Sequence, residues 1–215
     1  MLVSHRKRFI YTKTAKTAGT SVESYFEVWC QAEGVWKFQR AREETVSPAG
    51  IIGYRGVDAT GKTWFNHMPA KDIRRLVGEY TWDNYFKFTV IRNPFDKLLS
   101  GYFFSQRPTG TDAELIAGFR NWVKSGGSII DRSAYTIDGA LCLDYFIRYE
   151  SLEEGVAEVC RRLGLEIDLT RLPRLKSGFR PNQIPLKAYY DKEVSQLASE
   201  LYAFELDAFG YQSPV

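Results

Sequence analysis

The spacing of apolar and polar residues predicts that strands and helices alternate along this chain. Residues 8–13 (RFIYTK) are rich in aromatic and β-branched side chains, which favours a strand. Residues 14–21 (TAKTAGTS) are mostly small or carry hydroxyl groups, as in a loop. Residues 21–30 place apolar side chains at the spacing of one helix face, at Val22, Tyr25, Phe26 and Trp29. The chain is therefore predicted to open as strand, loop and helix.

The same alternation continues along the rest of the sequence. Residues 85–91 (YFKFTVI) form the clearest buried strand and run directly into Arg92. Further strands are predicted at 63–68 and 143–148, and helices at 69–80, 95–104, 112–124, 151–163 and 191–203. This order predicts an α/β fold, a three-layer P-loop-like domain in which helices flank a central, mostly parallel sheet. No internal repeat or long linker divides the sequence, so residues 1–215 are predicted to form a single domain.

Composition and charge narrow the classes of partner. The 215 residues are 44% hydrophobic and have a formal net charge of +3, which suits a small polyanion and is too small to indicate a nucleic acid. The three cysteines form no CxxC pair, which argues against a disulfide framework or a zinc site. No apolar run approaches a membrane span, and no apolar segment follows the basic start as in a secretory signal. The sequence predicts a cytoplasmic protein without a membrane span.

The loop at 14–21 is the first candidate phosphate site. Ligands of open α/β sheets bind at the carboxyl ends of strands, and a helix N-terminus there presents N–H groups to an anion. Gly19 permits close approach of the backbone, and Lys16 adds a full charge. Hydroxyl groups come from Thr17, Thr20 and Ser21. A Walker A loop needs Lys directly after its second Gly, whereas Lys16 precedes the only Gly of this loop. A simple turn into a helix, with Lys16 solvated, is the alternative.

Arg92 is the second candidate, at the end of the buried strand. A charge at that position is costly unless an opposite charge meets it. Ser100 follows eight residues later in the predicted helix, and a guanidinium together with a hydroxyl suits a phosphate dianion. The alternative is an ion pair between Arg92 and Asp96 that only caps the helix.

Together the two segments resemble the signatures with which sulfotransferases bind 3′-phosphoadenylyl sulfate (PAPS). YTKTAKTAGTS resembles the 5′-phosphosulfate loop of that family, and FTVIRNPFDKLLSGY resembles its 3′-phosphate segment. FIRYESLEEGV and the final YYDKEVSQLASELYAFELDAFGY are similar to later elements of Golgi-type carbohydrate sulfotransferases and their bacterial relatives. There are two departures, because Ala15 replaces the usual proline before Lys16, and Lys97 replaces the usual arginine after Asp96.

The resemblance implies which residues bind the donor. The 5′-phosphate is expected to contact Lys16, Thr17, Ala18, Gly19, Thr20 and Ser21. The 3′-phosphate is expected to contact Arg92 and Ser100. A loop over the nucleotide is expected to include Lys176 and Arg180, for which solvent exposure is the alternative.

The resemblance also implies the reaction. A sulfuryl group passes from PAPS to a hydroxyl or amine of a carbohydrate or other small acceptor, which leaves adenosine 3′,5′-bisphosphate and requires no metal ion. His67 resembles the catalytic base of several carbohydrate sulfotransferases in its position between the two motifs, and a packing or capping role is its alternative. Glu23 and Asp58 are weaker substitutes for the base.

Two other functions stay open from the sequence. A P-loop kinase or NTPase shares the opening strand, loop and helix, but it holds Mg²⁺ with an Asp at a strand end, and the clearest buried strand here ends at Arg92. A protein that binds PAPS without turning it over would keep the same loops and would release no adenosine 3′,5′-bisphosphate.

Overall fold

The computed structural model describes residues 1–173 and 184–215 and groups them into two units. The first unit comprises Met1–Ile91 and the residues from Asp131 to the end of the first described range. The second comprises Arg92–Ile130 and the described range 184–215. The single domain expected from the sequence stays a prediction.

The first unit is built on a six-stranded sheet. Its strands are β1 (Leu2–Ser4), β2 (Phe9–Tyr11), β3 (Thr45–Ser47), β4 (Gly50–Ile52), β5 (Phe86–Ile91) and β8 (Tyr145–Arg148). Their order in the sheet is β3-β4-β1-β2-β5-β8. Two further strands, β6 (Thr136–Ile137) and β7 (Ala140–Leu141), pair only with each other. The predicted strands at 8–13, 85–91 and 143–148 correspond to β2, β5 and β8.

The sheet is mixed, and this corrects the prediction of a mostly parallel sheet. Antiparallel pairs join β1 to β2, β1 to β4 and β3 to β4, whereas β2 with β5 and β5 with β8 are parallel. The reason is the length of the connections. Four residues join β1 to β2 and two join β3 to β4, and connections this short allow only antiparallel pairing.

Helices cover both faces of this sheet. They are α1 (Gly19–Phe26), α2 (Ala70–Val77), α3 (Glu79–Asn84) and α6 (Leu152–Leu163), and a 3-10 helix, Glu27–Cys30, extends α1. Successive strand residues point to opposite faces. Leu2 therefore packs with residues of α1 and α6, while Val3 packs with residues of α2 and α3. The expected α/β arrangement of a central sheet flanked by helices is confirmed within this unit.

Residues 63–68 are not the strand that their apolar pattern predicts. They form a single bridge, between Tyr54 and Phe65, and the chain then turns at His67, whose φ is 60°. Pro69 follows as the N-cap of α2, and its fixed φ suits a helix start. His67 therefore lies in a turn and not at a strand end.

The second unit is helical. Its helices are α4 (Pro94–Gln106), α5 (Asp112–Lys124), α7 (Leu186–Tyr189), α8 (Lys192–Leu201) and α9 (Ala203–Phe209). Their apolar faces meet in one core that includes Phe95, Leu99, Phe119, Tyr189 and Val194. The predicted helix at 112–124 is confirmed. Across the two described ranges, no helix has both the length and the apolar character needed to cross a membrane.

Candidate functional site

Hydrogen bonds fasten the loop after β2 to the neighbouring strand β5. The N–H of Thr12 donates to the carbonyl oxygen of Phe88 at 3.1 Å, and the Thr89 hydroxyl donates to the Thr12 carbonyl oxygen at 2.9 Å. Two residues further on, the Thr14 hydroxyl donates to the carbonyl oxygen of Val90. The loop therefore leaves the carboxyl end of β2 in a fixed position, where ligands of α/β sheets bind.

Two residues of this loop have a left-handed backbone. The φ angles are 60° at Lys16 and 57° at Ala18, the N-cap of α1. For residues other than glycine this conformation costs on the order of 1–3 kcal/mol and persists only where the surroundings enforce it. Left-handed residues within a turn direct successive N–H groups into a concavity that binds anions. Neither residue type indicates this conformation, because left-handed residues are usually Gly, Asn or Asp.

Gly19 begins α1, and packing inside the loop explains why a glycine stands there. A Cβ at this position would lie 3.0 Å from Cγ of Lys13 and 3.1 Å from the Thr14 carbonyl oxygen. The helix starts two residues before the segment 21–30 whose apolar spacing predicts it, and no side chain caps it. The first N–H groups of a helix have no acceptor within it, so they present a partial positive charge to the loop.

The hydroxyl-bearing residues of the loop differ in their surroundings. Thr17 is fully buried, and its hydroxyl lies 2.8 Å from Oγ1 of Thr14 and 3.3 Å from the Thr14 carbonyl oxygen. Its hydroxyl therefore holds the loop together. Thr20 and Ser21 are buried in the first turn of α1, and Lys16 is half-buried.

The ring of His67 contacts the start of the same loop. Its Nδ1 lies 3.1 Å from the backbone carbonyl oxygen of Lys13. A carbonyl oxygen only accepts hydrogen bonds, so Nδ1 bears the hydrogen and Nε2 keeps a lone pair. Although His67 is exposed as a whole residue, desolvation of its ring against the loop, together with the positive charges of Lys13 and of the N-terminal ammonium, lowers the pKa of His67 to about 4. At neutral pH the imidazole is uncharged, in the tautomer that accepts a proton at Nε2.

We expect NMR of ¹⁵N-labelled histidine to show this tautomer at pH 7, with a titration midpoint near the pKa of about 4 given by the surroundings of His67. His67→Gln assigns the signal, because the chain has only one other histidine, His5. If His67 acts as the base that the sequence predicts, the same variant is expected to lower kcat by no more than about 10²-fold, the lower end of a general base's contribution, because a pKa of about 4 makes a weak base at neutral pH. A midpoint at or above the ordinary 6.5, or an Nε2–H tautomer, would contradict the assignment.

Glu23, a substitute for the base in the sequence prediction, is instead the centre of a buried ion-pair cluster. Its carboxylate contacts Nζ of Lys13 at 2.7 Å, Arg55 at 2.7 Å, Arg42 at 3.1 Å and the N-terminal ammonium of Met1 at 2.9 Å. Burial alone would raise the pKa of Glu23, but these cations outweigh it and hold the pKa well below its usual 4.5. A carboxylate this acidic and fully buried is structural.

Asp58, the other predicted alternative to His67 as the base, is exposed and forms hydrogen bonds with a residue close to it in sequence. Its carboxylate accepts hydrogen bonds from the N–H of Thr60 at 2.9 Å and the Thr60 hydroxyl at 2.7 Å. This is a turn within the segment that follows β4, so His67 is the candidate base whose geometry supports the role.

Asp131 contacts the loop, and the sequence prediction missed it. Its Oδ2 accepts a hydrogen bond of 2.6 Å from the backbone N–H of Ala15, 116 residues away in sequence. The negative charge of Asp131 also raises the pKa of His67, but burial and the charge of Lys13 lower that pKa by more. No local motif marks Asp131, because its partner is a backbone group distant in sequence.

Arg92 and Ser100 belong to the second unit. Arg92 precedes α4 and pairs with Asp96, with Nε at 2.8 Å and Nη2 at 2.6 Å from Oδ2 of the carboxylate. Ser100 lies one turn after Asp96 in α4 and is half-buried, and residues four apart share a helix face. The ion pair that the sequence left open as an alternative is therefore present, and a phosphate at Arg92 must join or displace Asp96.

Two predicted ligands, Lys176 and Arg180, lie outside the described residues. Among the residues that are described, no group of three or more His, Cys, Asp or Glu side chains is placed to hold a metal ion.

Comparisons with known proteins bear on these segments. The family model described as the sulfotransferase family matches residues 1–212. An uncharacterized protein of Archaeoglobus fulgidus is 34% identical over 107 residues, which cover 47% of this chain and 87% of that protein. No solved structure matches the chain significantly. The family match spans both the loop at 14–21 and the segment at Arg92.

Proposed function

Because the chain belongs to the sulfotransferase family, we propose that it transfers a sulfuryl group from PAPS to a hydroxyl or amine of a carbohydrate or related small molecule. Family membership supports sulfuryl transfer in general, and the donor and acceptor are the proposal. The main supporting observation is the loop at 14–21, where left-handed Lys16 and Ala18 precede a helix N-terminus without a side-chain cap. The carbohydrate acceptor is supported by the resemblance of the later segments to carbohydrate sulfotransferases.

The chemistry of the loop fits the 5′-phosphosulfate of the donor. The N–H groups of Thr17, Ala18, Gly19 and Thr20 begin the helix or lead into it, whereas the N–H of Ser21 donates to the Ala18 carbonyl oxygen at 2.8 Å. N–H groups at a helix N-terminus stabilise phosphate through hydrogen bonds and the helix dipole. Lys16 adds a full positive charge. Its side chain is flexible, so the ammonium can move to meet the bound phosphate.

Arg92 and Ser100 are proposed to bind the 3′-phosphate, the group that distinguishes PAPS from ATP. A guanidinium and a hydroxyl can both donate to the same phosphate dianion. Lys176 and Arg180 are proposed to cover the bound nucleotide, as the resemblance implies.

The proposed step moves one sulfuryl group and one proton. The acceptor oxygen or nitrogen attacks the sulfur of PAPS, and the bond from sulfur to the bridging oxygen breaks with its electron pair on the departing phosphate. Nε2 of His67 takes the acceptor's proton, because Nδ1–H is held by the Lys13 carbonyl. Lys16 neutralises the charge that grows on the leaving phosphate. The products are the sulfated acceptor and adenosine 3′,5′-bisphosphate.

We expect Arg92→Ala to raise KM for PAPS about 10- to 100-fold with little change in kcat. A hydrogen bond to a charged group contributes about 1.5–3 kcal/mol. The proposed bond from Arg92 stabilises bound PAPS and does not contact the sulfur–oxygen bond that breaks, so it affects KM and not kcat. Ser100→Ala is expected to raise KM about three- to tenfold. Ser105→Ala is the matched control, since Ser105 lies in α4 but is exposed and bonds to the Tyr102 carbonyl. Unchanged KM in Arg92→Ala would remove the 3′-phosphate assignment.

The reaction can be tested with [³⁵S]PAPS and a panel of glycans, phenols and amines. The proposal expects label on at least one acceptor, with release of one adenosine 3′,5′-bisphosphate per sulfated product. PAPS binding without release on any acceptor class would favour the non-catalytic alternative. Hydrolysis of Mg-ATP without any effect of PAPS would favour the kinase or NTPase alternative.

A further inference from the structure

The hydrogen bond between Asp131 and Ala15 fixes the residue that directly precedes the strained part of the loop. Ala15 lies between Thr14, whose hydroxyl is tied to Val90, and Lys16, the first left-handed residue. The bond to Asp131 is short, 2.6 Å, as expected for a carboxylate acceptor. Left-handed residues persist only where neighbouring contacts enforce them, and this contact acts on the adjacent peptide.

The side chain of Asp131 is directed to the loop and not to its own turn. Asp131 is the N-cap of a 3-10 helix, Arg132–Ala134, but its carboxylate makes no cap hydrogen bond there. Aspartate at an N-cap ordinarily accepts from the N–H groups two or three residues ahead. The local turn is closed instead by the Asp131 carbonyl oxygen, which accepts from the Ala134 N–H at 2.9 Å. The carboxylate accepts instead from the N–H of the distant Ala15.

Ala15 is also where this chain departs from the motif that its loop resembles. Proline, the usual residue at that position, has no backbone N–H and cannot make this bond. The exchange of proline for alanine loosens the loop by itself, and the bond to Asp131 restores a constraint at the same peptide.

We propose that Asp131 is a positioning residue, which holds the loop at 14–21 in its anion-binding conformation through the N–H of Ala15. This inference rests on the proposed function only for the identity of the anion. Two effects of Asp131 oppose each other, because its negative charge also repels an incoming phosphate. The proposal requires positioning to outweigh repulsion, and variants that separate the two decide between them.

Asp131→Ala removes both the acceptor and the charge, whereas Asp131→Asn keeps an acceptor oxygen and removes the charge. We expect Asp131→Ala to weaken binding of adenosine 3′,5′-bisphosphate about tenfold or more, from the loss of a charge-assisted hydrogen bond. Asp131→Asn is expected to stay within about threefold of the unmodified protein, since the bond survives and repulsion falls. Asp138→Asn is the matched control, because Asp138 lies in the same unit and pairs with Lys71 at the surface.

Amide hydrogen exchange tests the same contact without any ligand. The Ala15 N–H is expected to be protected in the unmodified protein and in Asp138→Asn, and to exchange at least about tenfold faster in Asp131→Ala. In an Ala15→Pro background, the further change Asp131→Ala is expected to cause no loss of nucleotide binding, because the donor is already absent and only the repulsion by the Asp131 charge is removed.

The outcomes distinguish the two claims. Failure of the unmodified protein to bind adenosine 3′,5′-bisphosphate, with Ala15 still deprotected by Asp131→Ala, would refute the proposed donor and keep the positioning role. Unchanged Ala15 exchange in Asp131→Ala would overturn the positioning role. Equal or tighter nucleotide binding in Asp131→Ala would overturn it as well, since repulsion would then dominate.

Discussion

Replacing Lys16 with alanine is expected to lower kcat for sulfuryl transfer by about 10³-fold, the effect typical of removing one charged or hydrogen-bonding group from a developing negative charge. Lys16 is half-buried in the loop, and its charge is proposed to act on the phosphate that leaves as the sulfur–oxygen bond breaks. The fold should persist, because alanine and lysine tolerate the left-handed φ of 60° about equally. The measurement is the steady-state rate with PAPS, beside a thermal unfolding curve.

Two control variants accompany Lys16→Ala. Lys16→Arg keeps the charge and should retain much more activity than the alanine variant. Lys71→Ala removes an exposed lysine that pairs with Asp138, so its kcat should not change. A kcat within about threefold of the unmodified protein for Lys16→Ala would remove this residue from the mechanism.

Replacing Glu23 with glutamine is expected to destabilise the protein by about 3–5 kcal/mol, a large part of the roughly 5–15 kcal/mol that stabilises a typical domain. Glutamine keeps the shape of the side chain but leaves Lys13, Arg42 and Arg55 buried without their shared carboxylate. Glu27, the other carboxylate of the cluster, contacts Arg42 at 2.7 Å and Arg55 at 3.7 Å and cannot compensate all of these charges. Urea unfolding measures the loss.

Glu193→Gln is the matched control for Glu23→Gln. Glu193 pairs with Lys124 at the surface, where solvent screens the pair, so its loss should leave the unfolding free energy almost unchanged. A Glu23→Gln variant as stable as this control would show that the cluster contributes nothing net to stability.

The pH dependence of stability should follow from the same carboxylate. The pKa of Glu23 in the folded state lies well below its usual 4.5, because the surrounding cations outweigh burial. Its stabilising contribution is therefore fully present above that usual value and is lost as the pH falls towards the folded-state pKa. Glu23→Gln should abolish this part of the acid sensitivity.

Long, well-bounded elements could be predicted from the sequence, whereas the three-residue strand β1 could not. The helix at 112–124 is confirmed, because Thr111 and Glu114 form a capping box ahead of a regular apolar face. The strand β1 was missed because Leu2–Ser4 is too short to show a period and basic residues follow it. Its pairing with β2 and β4 makes the sheet mixed, which no local pattern indicates.

The candidate site was predictable where its residues are consecutive. The loop at 14–21 was located by its position between a strand and a helix and by its small residues, Gly19 and Lys16. The left-handed conformation of Ala18 was not predictable, because alanine rarely adopts it. Asp131 was not predictable either, since it meets Ala15 across 116 residues. The sequence suggests Glu23 as an alternative base because it shows a carboxylate close to the loop. It does not show that this carboxylate is buried among cations.

The most direct test of the account is a calorimetric titration of the full chain with adenosine 3′,5′-bisphosphate and, separately, with ADP and Mg-ATP. The proposed contacts of Arg92 and Ser100 with the 3′-phosphate would add at least one charge-assisted hydrogen bond, so adenosine 3′,5′-bisphosphate should bind about tenfold or more tighter than ADP, without Mg²⁺. Lys16→Ala should weaken both nucleotides through the shared 5′-phosphate. Tighter binding of Mg-ATP, with no measurable affinity for adenosine 3′,5′-bisphosphate, would contradict the assignment of PAPS as the donor.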